Sequence, residues 1–153
     1  MKMFEIKSNI PLDVIRYIDS FVYIKLNNDT IRHAVKLYFE NKEQCLKIYG
    51  PMEYWNTSKV TNMSCLFSFS PVYCQKINPQ TRLRIKNTID NLKNFNKDIS
   101  RWNVSNVTNM SWMFCYLQYF NCDISTWNVS NVKENLEIFN KCNIKEEYKP
   151  HFI

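Results

Sequence analysis

The chain has 153 residues, of which 45% are apolar, 15% aromatic and 22% charged, and it carries a net charge of +6. That balance excludes a disordered chain and suits one domain, since a chain of about 150 residues buries roughly 70% of its unfolded surface. No apolar stretch is long enough to cross a bilayer, and with Gly50 as the only glycine, phosphate-cradling loops and dinucleotide folds are excluded.

In chain order, residues 11–22 read as an amphipathic helix opened by Pro11, with Leu12, Ile15, Ile18 and Phe21/Val22 on one face. Residues 30–40 read as another, capped by Asn28 or Asp29, with Ile31, Ala34, Val35 and Tyr38 turned inward. A third runs over 42–49 and stops at Gly50-Pro51, a helix-ending pair. Residues 1–50 are thus expected to form a helical cap, 51–139 a repeat domain, and 140–153 a tail or second cap through Ile144, Tyr148, Phe152 and Ile153.

The repeat is the strongest feature. Residues 95–114 run FNKDISRWNVSNVTNMSWMF and residues 120–139 run FNCDISTWNVSNVKENLEIF, a period of 25 with eleven identities between Phe95 and Val107. An earlier copy, near 52–67, lacks the leading Phe-Asn-x-Asp, and its Trp55 precedes Trp102 by 47 residues. The intervening 68–94 reads as a helical insertion from Asn78-Pro79, with Leu83, Ile89 and Leu92 at helical spacing; a degenerate repeat is the alternative. Ile99, Trp102 and Val104 follow an L-x-x-L-x-L pattern expected of a strand. Val107, Met110, Met113 and Phe114 then step as a helical or 3₁₀ return does. Stacked copies would align a small parallel sheet over a core of Trp55, Val60, Met63, Phe67, Phe95, Ile99, Trp102, Val104, Val107, Met110, Phe114, Phe120, Ile124, Trp127, Val129, Val132 and Phe139.

The phrase FNxDISxWNVSNVTNMxxMF resembles the BspA-type leucine-rich repeat family, which includes bacterial and mycoplasma surface lipoproteins and is widespread in protists and large DNA viruses. The lead-in Asn28-Asp29-Thr30-Ile31, Ala34-Val35, Tyr49-Gly50 and Trp55 matches as well, so the likeness covers about 28–139. The resemblance implies an α/β repeat fold, a short right-handed solenoid with a small parallel sheet and an N-terminal helical cap, and a protein-binding or adhesive role. The segment Met1 to Asn9 has no apolar run after its first basic residue and no lipid-attachment cysteine. The expectation is therefore a cytoplasmic or nuclear location (the host-cell interior for a viral source) rather than an adhesin.

Few residues suggest chemistry. His33 sits in a helical pattern and His151 near the end, with no metal-ligand spacing around either. Asp98 and Asp123 occupy equivalent repeat positions, which a structural role explains. Cys45, Cys65, Cys74, Cys115, Cys122 and Cys142 form no C-x-x-C pair and read as reduced, mostly buried thiols. The recurrent Asn-x-Ser/Thr triplets read as turn chemistry. No catalytic residue, cofactor or metal is expected.

The leading expectation is a non-enzymatic protein–protein interaction module, its surface formed by the outward positions Tyr54, Asn56, Arg101, Asn103, Thr126 and Asn128, with another protein as partner. Two alternatives stand beside it. Ile10-Pro11-Leu12-Asp13-Val14-Ile15 and Ile18-x-x-Phe21-Val22 resemble the opening of an F-box, which implies an adaptor docking a ubiquitin-ligase scaffold through that helix. Arg82, Arg84, Lys86 and Lys93 form a basic patch for anions, nucleic acid first, unless they are a solvated helix face.

Overall fold

The structure is a computed structural model that describes residues 25–68 and 92–152. The helix expected over 11–22, the F-box-like residues and most of the insertion lie outside the described residues.

Helix α1 spans Asn28–Glu40 and helix α2 spans Lys42–Tyr49. The cap of α1 is Asn27, one residue ahead of the expected position. Its Oδ1 accepts from the Asp29 and Thr30 amides at 3.0 and 2.9 Å, while Thr30 Oγ1 accepts from the Asn27 amide at 2.8 Å. This reciprocal pair satisfies amides that the first turn of a helix leaves open. Asn41 ends α1 and caps α2, where its Oδ1 accepts from the Gln44 amide at 3.0 Å. Gly50 terminates α2 at φ 71° and ψ −172°, a conformation essentially confined to glycine. The helices are held together by Tyr49 Oη and His33 Nδ1, 2.8 Å apart, and α1 buries Ile31, Ala34 and Val35.

After Gly50 the expected architecture does not form. Among the described residues there is no strand and no sheet, so the solenoid with a parallel sheet is overturned. What pairs the copies is a set of isolated parallel bridges, Asn62 with Asn109 and Asn109 with Glu134, together with Lys25 against Asn56. The residues read as a strand are folded into turns. Trp102 N donates to Ile99 O at 3.0 Å and Val107 N to Val104 O at 2.9 Å, so the backbone reverses twice where it was expected to extend.

The residues read as a helical return form a ribbon of overlapping turns. In the second copy Met113, Cys115 and Leu117 donate back to Met110, Trp112 and Phe114 at 3.1, 3.3 and 3.1 Å. The alternate amides of Met110, Trp112, Phe114 and Tyr116 reach the carbonyls of Glu134, Leu136, Ile138 and Asn140 in the third copy at 2.8–3.0 Å. Met63, Cys65 and Phe67 donate in the same way to Asn109, Ser111 and Met113 at 2.8–3.1 Å. The alternation depends on left-handed residues at equivalent positions: Cys65 at φ 55°, Trp112 at 63° and Glu137 at 52°, then Tyr116 at 67° and Lys141 at 55°. A left-handed residue breaks both a strand and an α-helix, which is why neither forms.

The core runs through the copies as stacked rings. Phe67, Phe114 and Phe139 lie face to face at centroid distances of 5.8 and 5.6 Å, and Phe95 and Phe120 at 5.8 Å. The two columns touch through Phe67–Phe95 at 4.5 Å and Phe114–Phe120 at 4.4 Å. Trp55 stacks on Trp102 at 5.9 Å, whereas Trp127 is tilted against Phe114 at 6.1 Å. Each indole donates to a carbonyl: Trp55 to Gly50 at 3.1 Å, Trp102 to Met52 at 2.9 Å and Trp127 to Ser100 at 3.2 Å. Of the expected core residues, Trp55 through Val129 are buried, and Val132 and Phe139 in the last copy are half-buried.

Candidate interaction surface

The outer face is built by one device used repeatedly. Asn56, Asn103 and Asn128 each turn their Oδ1 onto the serine two residues on. It accepts the amide of Ser58, Ser105 or Ser130 at 3.1–3.2 Å and the hydroxyl at 2.7–2.8 Å. Asp98 and Asp123 do the same to Ser100 and Ser125, at 3.0 Å from the amide and 2.7 Å from the hydroxyl. These are Asx turns, in which a short polar side chain stands in for a backbone acceptor. In both aspartates the hydrogen bonds from serine hold the carboxyl below its ordinary pKa, because they favour the charged form.

A second set of side chains locks copy to copy. Asn106 Nδ2 donates to Ser58 O at 2.8 Å, and Asn131 Nδ2 to Ser105 O at 2.7 Å. Thr57, the one fully buried polar residue of this face, donates from Oγ1 to Asn103 O at 2.9 Å. The turns therefore present equivalent outward positions in each copy. Tyr54 is 39% exposed, and the Arg101 guanidinium lies over its ring at 5.5 Å, a cation–π contact between copies. Thr126 takes the same position in the third copy and is exposed.

Of the six surface residues expected, Arg101, Asn103, Thr126, Asn128 and Tyr54 are exposed and Asn56 is half-buried. The three asparagines have their oxygens committed to turns, which leaves Tyr54, Arg101 and Thr126 as an exposed row, the first two in contact with each other. In the basic patch, Arg82, Arg84 and Lys86 lie outside the described residues; Lys93 is exposed.

Cys45, Cys65, Cys115, Cys122 and Cys142 are free thiols, and Cys74 lies outside the described residues. Burial raises the pKa of all five, that of Cys45 to about 11, so they are protonated near neutral pH. Among the described residues no group of three or more His, Cys, Asp or Glu is placed to hold a metal ion, and no helix is long and apolar enough to cross a membrane.

Residues 33–149, from inside α1 to just past the 3₁₀ turn Glu146–Tyr148, match the family model described as Mycoplasma protein of unknown function, DUF285. The chain belongs to this family. No curated protein and no solved structure matches it. The DUF285 match takes in α2, all three repeat copies and most of the tail, and it leaves the F-box-like residues outside.

The sequence carries no signal for the left-handed positions: Cys65, Trp112 and Glu137 share a conformation and no chemistry. It also hid the partners of α1 on the first copy. Asn28 Oδ1 accepts the Thr61 and Asn62 amides at 2.9 and 3.1 Å, and Arg32 donates to Ser64 O at 2.9 Å.

Proposed function

We propose that this DUF285 protein is a non-enzymatic protein–protein interaction module of the BspA-like kind. The observation that carries the reading is the row Tyr54, Arg101 and Thr126, one outward side chain per copy, set by the repeated Asx turns. A row of exposed groups on a rigid, turn-locked face suits a protein or peptide partner; small molecules need a concave, mostly apolar site. An aromatic and an arginine are also the residue types most often found to dominate protein interfaces.

The test compares affinity capture by the parent chain with capture by an Arg101→Glu, Thr126→Glu double variant. Both side chains are exposed, so circular dichroism and melting should be unchanged while the captured partner is lost. Retention of the same partner by the folded variant removes the row as the binding face.

A further inference from the structure

We propose that the outer edge of the third copy, residues 135–141, is a docking edge. Its occupant is a segment of another protein that presents backbone carbonyls at alternate residues, as the second copy does for the first. This deepens the interaction reading by adding a partner chemistry at a place separate from the Tyr54–Arg101–Thr126 row.

The first two copies show what the edge is shaped to do. Met63, Cys65 and Phe67 donate to the second copy, and Met110, Trp112, Phe114 and Tyr116 donate to the third. The equivalent amides of the third copy belong to Asn135, Glu137, Phe139 and Lys141. Among the described residues, no backbone carbonyl accepts from any of these four. Yet the edge has the same shape as the filled ones, because Glu137 and Lys141 keep the left-handed conformation of Trp112 and Tyr116. Beside the amides stands Leu136, 62% exposed, while the ring of Phe139 is half-buried with Lys149 Nζ 5.4 Å from its centroid.

Other parts of both ends are covered. On the first copy α1 provides the partners, through Asn28 on Thr61 and Asn62 and Arg32 on Ser64 O. On the third copy the tail covers the neighbouring stretch: Ile124 N donates to Tyr148 O, and Lys145 N to Asn121 Oδ1, both at 3.0 Å. The amide row of the turn ribbon is left without a next layer among the described residues.

The polarity of the edge selects its occupant. It offers donors, since the carbonyls of Glu137 and Phe139 already accept from Asn140 N and Cys142 N at 3.1 and 3.0 Å. The same edge of a second copy would set donors against donors. At the opposite end of a second copy, the equivalent carbonyl of Ser64 already accepts from Arg32 of α1 at 2.9 Å. A different polypeptide with free alternate carbonyls and an apolar side chain for Leu136 meets both demands, and it continues the copy-to-copy interface already in the molecule.

The test uses the full-length chain and amide hydrogen exchange by NMR, with a synthetic peptide of residues 106–119 as the probe. Within the protein that segment supplies the carbonyls of Asn109, Ser111 and Met113 to the first copy. The peptide should slow exchange at Asn135, Glu137, Phe139 and Lys141 by about tenfold or more and leave Met110, Trp112 and Phe114 unchanged. Leu136→Asp, at an exposed site, should keep the melting temperature and weaken peptide binding about tenfold. The Arg101→Glu, Thr126→Glu variant should bind the peptide as the parent does, which separates this edge from the outward row. Three results overturn the proposal: no slowing at saturating peptide, full protection of the four amides in the free chain, or their protection by self-association.

Discussion

Phe114 is where the stacked copies are most exposed to a single change. Its side chain is fully buried, and its ring contacts Phe67, Phe120 and Phe139 at 5.8, 4.4 and 5.6 Å with interplanar angles of 11°, 8° and 2°. Truncating a buried phenylalanine costs about 3–5 kcal/mol, and each stacked ring pair contributes roughly 0.5–1.5 kcal/mol beyond burial. Phe114→Ala should therefore fall in the upper part of that range, about 4–5 kcal/mol. For a chain of this size each kcal/mol moves Tm by roughly 2–4 °C, so the expected drop is about 8–20 °C. Phe139 is the internal control. Among the described residues it stacks on Phe114 alone, and it is half-buried at the end of the column, so Phe139→Ala should cost only about 1–2 kcal/mol. Urea unfolding followed by tryptophan fluorescence and far-ultraviolet circular dichroism measures both variants. A Phe114→Ala loss no larger than that of Phe139→Ala would refute the continuous ring column.

Three further outcomes follow from local geometry. Gly50→Ala places a Cβ at φ 71° and ψ −172°, which should cost about 1–3 kcal/mol; an unchanged thermal midpoint would show that the α2 terminus does not need that conformation. Asp98 has its pKa lowered by hydrogen bonds from Ser100, so its contribution is present above the unfolded carboxylate value near 4 and is lost as pH falls through the lower folded value. Urea midpoints measured from about pH 5 down to pH 2.5 should fall less steeply for Asp98→Asn, which keeps an acceptor and does not titrate; parallel slopes would contradict this. Cys45, buried with Sγ donating to Ala34 O at 3.4 Å and a pKa near 11, should resist iodoacetamide at about pH 8 while exposed Cys65 reacts. Equal rates read by mass spectrometry would mean that the α1–α2 pair opens readily.

The two kinds of pattern in this chain were legible to different degrees. Helices announce themselves locally, through the Ile31, Ala34 and Val35 spacing and the Gly50 stop, so α1 and α2 emerge within two residues of where the sequence puts them. The repeat was just as plain as a period. Its conformation was not, because an L-x-x-L-x-L spacing is equally met by a strand and by two successive turns that return Ile99, Trp102 and Val104 to one interior. The Asx-x-Ser steps at Asp98, Asn103, Asp123 and Asn128 were the available sign of turns.

By itself the sequence determined the register of the copies near 52–67, 95–114 and 120–139, the identity of the residues that repeat, the helical lead-in and the turn-forming role of Asn and Ser, since each depends on short-range chemistry. Tertiary structure alone decided that the copies are joined by alternate amides across isolated bridges and that left-handed residues recur along the turn ribbons. It also decided that the third copy ends in a row of amides without described carbonyl partners. The physical reason is that a left-handed residue at Cys65 or Trp112 is unfavourable alone, and its cost is offset by the carbonyl that the neighbouring copy supplies to its amide. That compensation comes from residues 24 or 46 positions away, beyond the reach of any local pattern.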